Sequence, residues 1–242
     1  MFAGLLRYEK DRVLHSGKMI VPLLVYIIYL YFENSVKPQS VLPTFGVGSV
    51  VAFLVMISFG YIYHDLSTPL IDGAMLVKFK NRKLFYMAKV CVTGVTALGL
   101  ALITVAYEVL ENVLNGMRLF DRMVYPKDLI SALLVISVCA FCGGMIGLLC
   151  NDKIFAMREL RVMAAVLAGM LSAAKIVIAT SVAGFHYIAW LLPMVLDLNV
   201  AYSHCDYVEW GTILPYIVGV VIYTVVLIIL YVWLMDKKGL EK

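Results

Sequence analysis

The sequence predicts an all-α integral membrane protein with six transmembrane helices, and three observations carry that prediction. Hydrophobic residues make up 63% of the chain and charged residues 15%, with a mean hydropathy of +0.93. A soluble domain holds roughly 45–50% apolar and about 25% charged residues, and one soluble core cannot hide such an excess behind polar cover. The apolar residues are also gathered into runs approaching the ~20 residues that a helix needs to cross a bilayer, and strict alternation, which would suggest a barrel, is absent. Basic residues, finally, are sorted between alternate connecting segments.

The spans fall at residues 19–32 (extended back toward Val13), 45–63, 88–109, 129–150, 162–182 and 212–235. With the N-terminus inside, the inner segments hold fifteen Lys and Arg residues and the outer segments only Lys37, Arg118, Arg122 and Lys127. That bias predicts an even number of spans with both ends cytoplasmic. Neither repeats nor low-complexity stretches occur, so residues 1–242 read as a single transmembrane domain. The net charge of +4 is mild, and nucleic acid is not an expected partner. The five cysteines are scattered and odd in number, which reads as reduced, packing cysteines. The charged first 18 residues lack the pattern of a cleavable signal.

Three segments outside the spans have structure of their own. In residues 1–18, Phe2, Leu5, Leu6 and Val13 share an arc of roughly 100° on a helical wheel, interrupted by Glu9, with basic residues around it. This fits an interfacial helix lying on the inner membrane surface, and equally an ordinary basic flank that sets topology. In the inner loop 64–89, Ser67-Thr68-Pro69 has helix-start chemistry: a capping hydroxyl and a proline at the first helical position. Leu70, Gly73, Ala74 and Val77 then share a face ahead of a basic cluster at residues 78–83. A short cytoplasmic helix between spans two and three is expected, either as a contact for a partner or as a positive-inside loop that is helical. Residues 162–199 are almost continuously apolar. As one helix they would run about 57 Å against a hydrocarbon core of about 30 Å. Breaks are expected at Gly184 and Pro193, with residues 183–211 forming an outer re-entrant segment that lies against protein.

Catalytic signatures are missing. The chain has no phosphate-binding loop, no zinc-binding histidine pair on a helix and no nucleophile elbow, so it should not hydrolyse ATP itself, and no catalytic residue or metal site is expected. The adjacent trio His204-Cys205-Asp206 rarely converges on one ion. Cys139-x-x-Cys142 lies mid-span among Ala140, Gly143, Gly144 and Gly147, where small residues let helices approach closely, so helix packing is the better reading. Ala164, Ala165, Ala168 and Gly169 make the same case for span five. Lys175 is the clear intramembrane charge, and Ser172 shares its face. The two could line a polar substrate path, or Lys175 could snorkel to the interface. Glu108 and Glu111, one turn apart, are expected to pair with Arg118, Arg122 and Lys127 of the same outer loop.

Taken together, the opening LLRYEKDRVLHSGK, the loop DGAMLVKFKNRKLFYMAK and the segment AWLLPMVLDL resemble the membrane subunit of ABC-2 type (type V) ABC exporters. The general likeness is greatest to the permeases of phenol-soluble modulin and other amphipathic-peptide exporters. The resemblance covers nearly the whole chain and rests on architecture plus loosely patterned segments. It implies a bacterial plasma-membrane permease subunit that binds no cofactor itself. A separate ATP-binding subunit would carry ATP and Mg and dock beneath the loop, nearest to Leu70, Asp72, Gly73, Leu76 and Lys78. Asp72 stands where the family more usually has Glu, which leaves the contact there open. A second permease chain, identical or related, would face this one across a path lined by spans one, two and five, which includes Ser172 and Lys175. The alternatives are a bacteriocin-immunity permease and a non-catalytic membrane scaffold. An intramembrane enzyme would need convergent acidic, histidine or metal-ligand residues inside the spans, and the sequence offers none.

Overall fold

The structure is a computed structural model that describes residues 2–66, 82–181 and 189–238. Among the described residues it is all-helical. In chain order the helices are α1 (Phe2–Leu14), α2 (Ile20–Glu33), α3 (Val41–Asp65), α4 (Arg82–Leu114), α5 (Pro126–Leu149), α6 (Arg158–Ser181), α7 (Val195–Ser203) and α8 (Trp210–Lys238), with short 3-10 turns at Gly17–Met19 and Ala189–Leu191. Helices α3, α4, α5, α6 and α8 are each long and apolar enough to cross a membrane. A sixth crossing arises if α1 and the segment Gly17–Glu33, bent by 68° from each other, are taken together. The protein is therefore a multi-pass membrane protein by the length and composition of its helices.

The strongest contact is between α3 and α5, and it depends on absent side chains. Gly143 of α5 sits on the carbonyl of Phe53, Gly147 on the carbonyl of Ile57, and Gly60 of α3 on the carbonyl of Gly144. A Cβ at any of the three would overlap backbone, so this pair is packed main chain against main chain. Cys139 and Cys142 are wholly buried, Cys139 toward Ser49 of α3 and Cys142 toward Thr224 of α8, as helix packing predicts. Helix α5 begins where its sequence says it should: Pro126 occupies the first turn, and the Asp128 carboxylate accepts the Tyr125 N–H at 2.9 Å. Helices α4, α7 and α8 close around this pair, whereas α2 and α6 lie at the periphery with many apolar side chains exposed.

Helix α6 is described as far as Ser181, a 3-10 turn follows at Ala189–Leu191, and α7 starts two residues after Pro193, so the long apolar stretch is divided at Pro193; the expected break at Gly184 lies outside the described residues. With 9 residues, α7 is about 13 Å long and too short to cross a core of about 30 Å. It is held instead by protein: Val195, Leu198 and Tyr202 are buried, and the Tyr202 hydroxyl shares a 2.7 Å hydrogen bond with Ser131 of α5. Helix α1 differs from the arc expected of it. Its buried stripe is Leu5, Glu9 and Val13, spaced four apart, and Phe2 is exposed. The stripe faces the ends of α3 and α4, and Glu9 sits at its centre because polar partners wait there.

Candidate functional site

A cleft of about 610 Å3 opens between α2, α3 and α6. Pro22 and Val25 form one wall, Leu54 and Tyr61 the floor, and Ala165 and Gly169 the other wall. The small residues on α6 keep the cleft open: a Cβ on Gly169 would come within 3.1 Å of Leu54 Cδ2. The lining is apolar apart from Ser58 and Tyr61, and the buried Tyr61 hydroxyl has no hydrogen-bond partner among the described residues. The cleft thus offers a largely apolar surface with two hydroxyl-bearing residues at its edge, Ser58 and Tyr61, which suits a mostly apolar ligand.

Lys175 and Ser172 stand on α6 but do not line this cleft. The Lys175 ammonium lies 2.5 Å from Asp197 Oδ2 on α7, and the Ser172 hydroxyl donates back to the Ala168 carbonyl at 2.6 Å. Lys175 is buried and paired, so its stem has no need to reach toward the interface. Asp197 is the partner that sequence reasoning missed. Its signal was present: Lys175 is the one Lys or Arg and Asp197 the one Asp or Glu in residues 162–199. The residues expected to meet an ATPase, Leu70, Asp72, Gly73, Leu76 and Lys78, lie outside the described residues.

Polar links concentrate at the two ends of the helices. At the end that carries the chain termini, the wholly buried Glu9 accepts the Tyr63 hydroxyl at 2.9 Å and lies 3.4 Å from Arg12 Nη1. Around it, His64 faces Asp152 at 3.6 Å, Arg161 faces Asp65 at 3.5 Å, and Lys153 donates to the Tyr86 hydroxyl at 3.0 Å. These links join α1, α3, α4 and α6 to the loop after α5.

At the opposite end, Gln39 bridges to the α4–α5 loop through backbone bonds with Leu119 and Asp121. Arg122 grips Asp128 with two bonds, 2.7 and 3.1 Å, and its guanidinium lies over the Tyr207 ring. Those bonds hold the Arg122 pKa above its ordinary value. The carboxylates Glu108 and Glu111 are not partnered by this loop's bases as expected. Arg122 is taken by Asp128. Glu108 receives Asn34 Nδ2, and Glu111 receives Asn115 Nδ2, each at 3.1 Å. The physical reason is reach: Asn34 and Asn115 stand beside the carboxylates, each one residue past the end of its helix (α2 and α4), whereas the loop folds Arg122 back onto the first turn of α5.

Compared with known proteins, the chain matches no protein family, no curated protein and no solved structure at a significant level.

Proposed function

We propose that this chain is the membrane-spanning permease subunit of an ATP-driven ABC exporter that moves amphipathic or hydrophobic peptides out of a bacterial cell. The observation that carries the reading is the 610 Å3 apolar cleft between α2, α3 and α6, which are the first, second and fifth spans of a six-span count. Those are the spans that the resemblance assigns to the substrate path. In this reading the protein sits in the plasma membrane with both termini cytoplasmic. Helix α1 is the interfacial helix, and residues 183–211 are the outer re-entrant segment before the last span. Residues 64–89 are the coupling loop on which a separate ATPase docks, with ATP and Mg held by that partner. A second permease chain completes the path. Substrate enters the cleft with its apolar face against Val25, Leu54 and Ala165 and a polar group toward Tyr61.

The test is to purify the tagged chain in mild detergent after expression with its neighbouring genes, and to assay the eluate for ATP hydrolysis. A stoichiometric ATPase that is lost on replacing Asp72 and Gly73 by bulky or basic residues supports the reading. Gly169→Leu should then fill the cleft and lower peptide-stimulated hydrolysis while the complex stays intact. An eluate with neither an ATPase nor hydrolysis would turn the assignment to the membrane scaffold.

A further inference from the structure

At the end that carries the chain termini, a crevice of about 220 Å3 lies in the angle between α1 and α2. The chain bends there by 68° through Gly17–Met19. Helix α1 packs on α4 and α2 on α3, so the bend leaves a gap where the chain passes from one support to the other. Leu14 and Met19 line the gap from the bend, Val55 and Phe59 from α3, and Thr96 and Leu100 from α4. Of the lining side chains only Ser16 and Thr96 are polar, and the Thr96 hydroxyl is spent on the Val92 carbonyl of its own helix at 2.9 Å. Leu14 is 70% exposed and Ile20 54%, so the gap opens on the perimeter of the bundle.

The place of the gap along the chain sets its depth in a membrane. Residues 7–12 hold five charged side chains, whereas α2 has none before Glu33. The bend is therefore the boundary between charged and apolar chain, the level at which phospholipid head groups give way to acyl chains. Charge around it is unbalanced. Glu9 is met by Arg12 at 3.4 Å and Asp11 by Arg7 at 4.0 Å. Lys10 stands one helical turn before the lining residues Val13 and Leu14, and Lys18 stands between the lining residues Ser16 and Met19. Both lysines are exposed, and neither has an acidic partner among the described residues. Two uncompensated ammonium groups beside an apolar gap, at head-group depth, complement a negative head carried on an apolar chain. A zwitterionic head brings no net charge to answer them. We infer that the elbow between α1 and α2 binds one anionic phospholipid, with an acyl chain in the gap and the head group met by Lys10 and Lys18. The bound lipid fills the angle and fixes α1 against α2. Such a site needs only a chain that spans a membrane, whether or not it exports peptides.

The experiment is native mass spectrometry of the full chain, delipidated in detergent and then offered dioleoylphosphatidylglycerol or dioleoylphosphatidylcholine, with thermal melting in parallel. The expected result is one phosphatidylglycerol retained per chain in preference to phosphatidylcholine, and a melting temperature raised more by phosphatidylglycerol. Lys10→Gln and Lys18→Gln should each lower that preference about fivefold. Thr96→Phe, which fills the gap from α4, should lose the retained lipid. The double variant Lys37→Gln with Lys127→Gln removes two charges at the opposite end and should retain lipid as the wild type does. Lys10 and Lys18 are exposed, so their variants test the site even where Thr96→Phe fails to fold. The proposal is overturned by equal retention of the two lipids, by an equal loss of preference in the Lys37 and Lys127 variant, or by a dimer in place of bound lipid that dissociates in Thr96→Phe.

Discussion

Replacing Gly147 by alanine isolates the α3–α5 seam. In a helix interior alanine is favoured over glycine by about 1 kcal/mol, so any net loss must come from packing. At Gly147 the added Cβ would overlap the Ile57 carbonyl and lie 2.8 Å from Tyr61 N and 2.9 Å from Gly60 Cα. All three neighbours are main chain and cannot rotate away, so α3 must retreat by about 1 Å to restore ordinary contact distances. That retreat also opens the contacts of Gly143 and Gly60 along the same seam. Overpacking of this kind costs about 1–3 kcal/mol, and a rigid neighbour places it at the upper end. Gly99 of α4 is the matched control, because a Cβ there meets nothing within 4 Å. Gly147→Ala should therefore be destabilised and Gly99→Ala slightly stabilised, a separation of about 3 kcal/mol, or roughly 6–12 °C in melting temperature for a chain of this size. The assay is thermal unfolding in a single detergent. Equal melting temperatures for the two variants would refute the backbone-contact argument.

Other expectations follow from the polar links at the helix ends. Glu9→Ala leaves the Tyr63 hydroxyl without its partner and should weaken the docking of α1 by about 1–3 kcal/mol. Hydrogen exchange should then speed up in residues 2–14 while α3 and α5 keep their protection. Arg122→Lys keeps the charge but loses the two-pronged grip on Asp128 and the stacking over Tyr207, and should cost about 1 kcal/mol. Faster exchange confined to residues 118–128 would report it.

The spans were legible in the sequence because lipid imposes a length, and the helices answer to it within a few residues. The seam was legible too, since Gly143, Gly144 and Gly147 have no other role in an apolar run. The pairings were harder to read. Lys175 stood out as a charge, but its partner lies 22 residues on, beyond a break whose geometry no periodicity reveals. Glu9 looked like a flaw in an apolar arc, because Tyr63 comes from a different helix. The link from Asn34 to Glu108 could not be read from spacing at all, because its two ends come from different helices 74 residues apart.

The two walls of the cleft are attached differently from its floor. Helix α3 is welded to α5 by the glycine seam, whereas α6 is largely surrounded by what would be lipid. In a bilayer, apolar contact between helices offers little over contact with acyl chains, so polar links set where such a helix sits. For α6 these links are Lys175–Asp197 at one end and Arg161–Asp65 at the other. The first is buried on the lysine side, and removing only the acid leaves an ammonium without its counter-charge, a loss of about 3–5 kcal/mol where the charge stays buried. The second is half-exposed on the acid side and contributes at most about 1 kcal/mol. Asp197→Asn should therefore free the Lys175 end of α6 more than Asp65→Asn frees the other. Lys175→Met with Asp197→Asn should recover part of the loss, since no buried charge then remains. Spin-label distances between α3 and α6 would report this as a broadened distribution in Asp197→Asn that narrows again in the double variant, while distances between α3 and α5 stay sharp in all of them. A narrow α3–α6 distribution in Asp197→Asn would mean that apolar packing holds the cleft wall, and that α6 is not the movable side of the cleft.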